Sequence, residues 1–345
     1  MHSIKKQQVN NLELTLIEVE HQNIKIKFLD YGATIMSIYT PDKNGNSETC
    51  LLAYDQLESY IDNDIYLNAT IGPTSGRIAG ATFKINDQTY TLDKNFLGTE
   101  NLHGGTETFA RKIFNYAIFE ENNQTQVTFT YRKHGINSKY PGNQEISVIY
   151  TVSSLGLLIE YIGKTDMDTL LNMTNHAYFN LSGNLKTNIL NHELQVNSSK
   201  TIELNDNFVP YKVIDSKGTH LDYRKRKIIS DNFCSGIYLR KENGIDNPLL
   251  LDDTNFQTRQ VLLKDPISKR KLEVYSTYPC VVVYTHNFPD NKQLQFNKKQ
   301  EKHMGICFEM QNPPNGINIP NLEDSILLKD KIYYHKTMYK FSVEE

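Results

Sequence analysis

Residues 125–132 read Thr-Gln-Val-Thr-Phe-Thr-Tyr-Arg, and residues 145–152 read Glu-Ile-Ser-Val-Ile-Tyr-Thr-Val. In the first, Val127, Phe129 and Tyr131 alternate with Thr128 and Thr130; in the second, Ile146, Val148, Tyr150 and Val152 alternate with polar or smaller residues. Successive side chains on a strand point to opposite faces, so this period of two buries one face and wets the other. The habit recurs in Asn23–Phe28, where Ile24, Ile26 and Phe28 oppose Lys25 and Lys27, and in Leu272–Thr277. Cys280–Thr285 is almost continuously apolar, the pattern of a strand covered on both faces. Asn86-Asp87, set between Thr82–Ile85 and Gln88–Leu92, predicts a tight hairpin within Ala81–Leu92. Helical periodicity is scarce, and Leu57–Ile61 predicts one or two turns. The chain reads as all-β: a large antiparallel β-sandwich with few short helices.

No linker, composition shift or internal repeat divides the 345 residues, so 1–345 is expected to form a single domain. Apolar residues make up 39%, with 15 Phe and 21 Tyr, which supplies a core and excludes whole-chain disorder. A net charge of −3, from 37 basic and 40 acidic residues, argues against a nucleic-acid partner, which needs a basic excess to meet phosphates. The basic run Arg224–Lys227 is isolated and reads as a solvated loop. No window approaches the roughly 18 apolar residues that span a bilayer, so no membrane partner is expected. The lysines of the N-terminal MHSIKKQQVNN have no apolar stretch behind them, which predicts a cytoplasmic protein. Cys50, Cys234, Cys280 and Cys307 form no CxxC pair and are expected as reduced, half-buried thiols.

Five segments interrupt the alternation with polar residues among Gly, Pro and aromatics: Gly72–Gly80, Asn101–Gly105, Thr174–Gly183, Gly244–Pro248 and Gly305–Asn315. On a β scaffold such segments end strands and can converge at one mouth. Taken singly, each residue has an ordinary reading. Arg77 suits an ion pair, His103 before Gly104-Gly105 a turn cap, His176 a core histidine, and Asp246 before Asn-Pro a turn. Glu309 stands out because Ile306-Cys-Phe before it and Met310 after it read as a buried strand, where an ionised carboxylate is costly unless paired. The chain has no Gly-Lys-Ser/Thr phosphate loop and no GxSxG nucleophile elbow.

These five segments together resemble the aldose 1-epimerase (galactose mutarotase) family, in the family's order and over nearly the whole length: Gly-Arg77-Ile, Asn-Leu-His103-Gly-Gly, Asn-His176-Ala-Tyr178-Phe-Asn-Leu, Gly-Ile-Asp246-Asn-Pro and Phe-Glu309-Met-Gln. The resemblance implies a β-supersandwich with an open cleft. It implies an enzyme that interconverts the α and β anomers of free aldohexoses such as galactose and glucose, with no metal and no cofactor. It places the general base at Glu309 and the general acid at His176, and it assigns Arg77, His103, Asp246 and Tyr178 to binding the monosaccharide. Two positions depart from the pattern: Gly76 stands where some members have Asn, and Val282 where some have a sugar-contacting Gln. Other readings remain open at this level: a non-catalytic sugar-binding module, an epimerase of another or a phosphorylated aldose, and a metal enzyme using the two histidines with Asp246 and Glu309.

Overall fold

The computed structural model describes residues 1–232 and 244–344. The alternating segments form strands. Gln124–Lys133 and Gln144–Ser153 pair antiparallel, and their register sets Val127 opposite Tyr150 and Phe129 opposite Val148, so the apolar faces fall on one side. They belong to a nine-stranded sheet that continues through Gly156–Thr165, Ile332–Val343 and Arg270–Ser276 to Val261–Lys264, Glu193–Val196 and the edge strand Lys227–Ile228. Part of the basic run thus lies at a sheet edge rather than in a loop, and its arginines are held by Asp222 and Glu193.

A five-stranded sheet covers residues from His2–Val9 to Ser47–Thr49. Its Phe28 stacks on Tyr150 of the nine-stranded sheet, with ring centroids 4.8 Å apart at 19°. A six-stranded sheet contributes Ile306, Phe308 and Met310 to the same buried cluster. Each such side chain adds roughly 1.5–3 kcal/mol by leaving water. The core therefore lies where three antiparallel sheets meet. Arg270 is buried between them: its guanidinium bonds Glu48 (2.9 Å) and the carbonyls of Asn46, Thr40, Leu181 and Ser182 at 3.0–3.3 Å.

The hairpin forms as Thr82–Ile85 and Gln88–Thr91, with Asn86 and Asp87 at φ 50° and 63°, the left-handed pair that a two-residue primed turn requires. Leu57–Ile61 shortens to a 3₁₀ turn, Leu57–Tyr60, and the other helical segments among the described residues are equally short. None is long and apolar enough to cross a membrane. Cys50, Cys280 and Cys307 are free thiols but completely buried, not half-buried, because they sit inside the sheet stack. Cys234 lies outside the described residues.

Candidate active site

The floor of the site is one face of the six-stranded sheet. In the strand Ile306–Gln311 every second residue faces the core, which leaves Cys307 and Glu309 on the opposite face. Antiparallel register then decides their neighbours. Tyr178, Cys307, Tyr284 and Asp246 pair in one row across four strands, and Glu309, Val282 and Pro248 pair in the next. A cleft of about 450 Å³ opens above these rows. Val282 thus stands beside the carboxylate and presents a methyl surface to the cleft.

The wall is built by a short ladder. Arg77–Ile78 pairs with Asn101–Leu102, which delivers Arg77 and His103 to the same rim. Gly76 N–H donates to His103 Nδ1 (3.1 Å), and His103 N–H donates to the Gly76 carbonyl (3.0 Å). Gly76 sits at φ 73°, and a Cβ there would collide with Pro314 Cβ. Glycine is therefore required here, and the departure at Gly76 is explained by the proline packed against it. Arg77 Nη2 reaches Asp246 Oδ2 at 3.1 Å, and the rings of Phe96 and Phe208 lie 4.6 and 5.4 Å from its guanidinium carbon. Its Nε is buried without a protein partner.

His176 occupies the corner between floor and wall. Its backbone is pinned on both sides, donating to the Ala69 carbonyl (2.9 Å) and accepting from Asn68 N–H (3.0 Å). Its ring stacks on Tyr178 at 5.0 Å and 21°. Nε2 lies 3.5 Å from Glu309 Oε1, with His176 5% and Glu309 3% exposed. The Tyr178 hydroxyl donates to the Ile65 carbonyl (2.8 Å). The hydroxyl hydrogen is thus committed to the backbone, and Tyr178 lines the cleft with a ring that supports His176.

Burial drives both members of the pair toward their neutral forms. The Glu309 carboxyl is pushed up to about 8 by desolvation and the nearby Asp246 carboxylate, with Arg77 opposing. The His176 imidazole is pushed down to about 3 by desolvation, opposed by its own backbone carbonyl, with the Arg77 and His286 charges adding to the depression. At neutral pH the pair without substrate therefore holds one proton, on the carboxyl, beside a neutral imidazole. His103 is also held neutral, by burial and then by His176 and Arg77.

A nitrogen of His103, a nitrogen of His176 and a Glu309 oxygen lie within 4.8 Å of one another, which looks like a metal triad. The His103 tautomer speaks against it. Nδ1 already accepts from Gly76 N–H, so the neutral ring carries its hydrogen on Nε2 and offers a metal no free lone pair. The same tautomer makes His103 a hydrogen-bond donor.

The six residues singled out in the sequence, Arg77, His103, His176, Tyr178, Asp246 and Glu309, all line this one cleft. Sequence reasoning missed Phe96, Phe208 and Tyr66. The two phenylalanines flank Arg77, and Tyr66 packs edge-on against His103 at 4.7 Å. None sits in a motif, and only the tertiary contact reveals them.

The sequence profile of the aldose 1-epimerase family matches residues 15–340. The chain belongs to the aldose 1-epimerase family of isomerases. It is 29% identical to the galactose mutarotase of Homo sapiens over 328 residues, covering 94% of this chain and 93% of that one. It is 29% identical to the aldose 1-epimerase of Escherichia coli strain K12 over 326 residues, covering 92% of each. Among solved structures, galactose 1-epimerase from Lactobacillus acidophilus superposes with a TM-score of 0.87 at 25% identity, covering 100% of this chain and 99% of that one. An aldose epimerase homologue from C. elegans gives 0.86 at 23% identity, covering 96% and 99%.

Proposed function

We propose that this protein interconverts the α and β anomers of free aldohexoses, galactose and glucose among them, by acid–base opening and closure of the pyranose ring. The observation that carries the reading is the buried Glu309–His176 pair, 3.5 Å apart at the floor of a sugar-sized cleft. The C1 hydroxyl and the ring oxygen are bonded to the same carbon, so two adjacent side chains can reach both.

In the opening direction Glu309 accepts the hydroxyl proton while His176 Nε2 protonates the ring oxygen. The shared proton must then stand on His176 as the sugar arrives. The His176 backbone carbonyl, which favours imidazolium, pulls that way, whereas the Arg77 charge favours the Glu309 carboxylate but disfavours the imidazolium. Opening leaves the carboxyl protonated and the imidazole neutral, the forms that burial favours. The pair therefore relaxes as the ring opens. Rotation about C1–C2 turns the aldehyde, and closure with the roles reversed yields the other anomer. A positioned acid or base contributes about 10²–10⁴-fold.

Arg77, Asp246 and His103 hold the sugar hydroxyls meanwhile. The unpartnered Arg77 Nε and the His103 Nε2–H are donors suited to that task, and bonds to charged groups are the stronger ones. Polarimetry on freshly dissolved α-galactose and α-glucose tests the proposal. Accelerated decay of optical rotation to the equilibrium value is expected, and no acceleration with any free aldose overturns it.

A further inference from the structure

Cys307 is used by none of the chemistry above, yet it touches its central residue. It lies two positions before Glu309 on the same strand and shares the cleft-side face. Its Sγ is 3.4 Å from His176 Nδ1, the ring nitrogen turned away from Glu309. The partner at one imidazole nitrogen decides whether the other nitrogen carries hydrogen. Nδ1 is not exposed to water: Cys307 is wholly buried, and Tyr178 and Tyr284 flank it in the same row.

We propose that Cys307 is a positioning residue for the acid–base histidine, its sulfur accepting from Nδ1–H and thereby leaving Nε2 as the atom that gains and loses the proton. In both states that His176 passes through, imidazolium and neutral, the hydrogen on Nδ1 stays in place, so the ring keeps its orientation through the cycle. Sulfur suits the task because it is a weak acceptor. A carboxylate at this position would hold the imidazolium too firmly for it to release its proton to the ring oxygen. The thiol itself stays protonated, since burial and the nearby Glu309 and Asp246 push it well above the ordinary range. The ring's own backbone carbonyl is a second acceptor, so losing Cys307 weakens the orientation without abolishing it. The inference rests on the mutarotase reading of the pair.

The test compares Cys307→Val, which keeps the volume and removes the acceptor, with Cys307→Ser, which keeps a donor–acceptor atom. A lost neutral hydrogen bond corresponds to a fall of roughly 3- to 10-fold in kcat. That fall is expected for Cys307→Val with KM within about twofold, and Cys307→Ser is expected to recover part of it, because its shorter bond to Cβ lengthens the contact. Nitrogen-15 NMR of histidine-labelled wild type should show His176 with hydrogen on Nδ1, and Cys307→Val should shift that tautomer balance. Wild-type kcat in Cys307→Val overturns the proposal, as does an equal loss in both variants or hydrogen on Nε2 in the wild-type resting enzyme. The wild-type NMR measurement needs no turnover and no variant, so hydrogen found on Nε2 overturns the proposal even where a substitution unfolds the chain or where no aldose is turned over.

Discussion

Replacing Glu309 by Gln should make the protein more stable and almost inactive, and the two effects have one cause. The Glu309 carboxyl moves from an ordinary 4.5 to about 8 on folding. Below pH 4.5 both folded and unfolded chains carry the proton, and the group has no net effect on stability. Above it the unfolded chain releases the proton while the folded chain keeps it, so stability is lost with rising pH until about pH 8, where the loss levels off. Each pH unit in that window corresponds to about 1.36 kcal/mol. Between pH 5 and pH 7 the wild type should therefore lose about 3 kcal/mol that Glu309→Gln, neutral throughout, does not lose. Any mismatch of the new amide against His176 does not depend on pH, and His176 titrates in both proteins, so the difference between their pH dependences isolates the carboxyl. Urea denaturation at pH 5, 6 and 7 reads the difference, and polarimetry on the same samples should show a fall of about 10²–10⁴-fold. A stability difference that stays flat from pH 5 to 7, or a variant that still equilibrates galactose at the wild-type rate, refutes the reasoning.

The pH profile of kcat/KM should hold through neutrality and decline along an alkaline limb near 8, where the pair loses its one proton; a limb at the ordinary histidine value of 6.5 would contradict this. Arg77→Ala should raise KM at least tenfold with a smaller change in kcat, and should move the alkaline limb higher, because Arg77 holds the Glu309 carboxyl down; steady-state kinetics across pH show both. Gly76→Ala should cost about 2–4 kcal/mol in urea unfolding, from a left-handed backbone combined with the clash at Pro314, and should raise KM through the displaced His103.

The strands were legible because one face is core and the other is not: Ile24, Ile26 and Phe28 are buried, with Lys25 and Lys27 partly exposed between them. The Asn86-Asp87 hairpin was legible because a primed turn demands left-handed residues that few side chains tolerate. Glu309 was marked by apolar neighbours in sequence, and the other site residues by motif. What the sequence withheld is contact at long range. Nothing local says that Gly76 locks the His103 tautomer, that the Tyr178 hydroxyl is already taken by Ile65, or that Cys307 lies under His176. The protonation of the pair was hidden for the same reason, since burial is a property of the assembled sheets and not of either residue.

The guanidinium of Arg270 has a consequence for how this molecule comes apart. It ties residues 40, 46 and 48 of the N-terminal sheet to the strand Arg270–Ser276 through a bond to Glu48 and several carbonyls, with almost no access to water. Loss of Glu48 would leave the buried guanidinium without its ionic partner, whereas Glu48 also holds Lys186. The N-terminal sheet cannot fray from the rest by degrees, and amide exchange in the strands near Glu48 and Arg270 should register a single opening event that frees both sheets together.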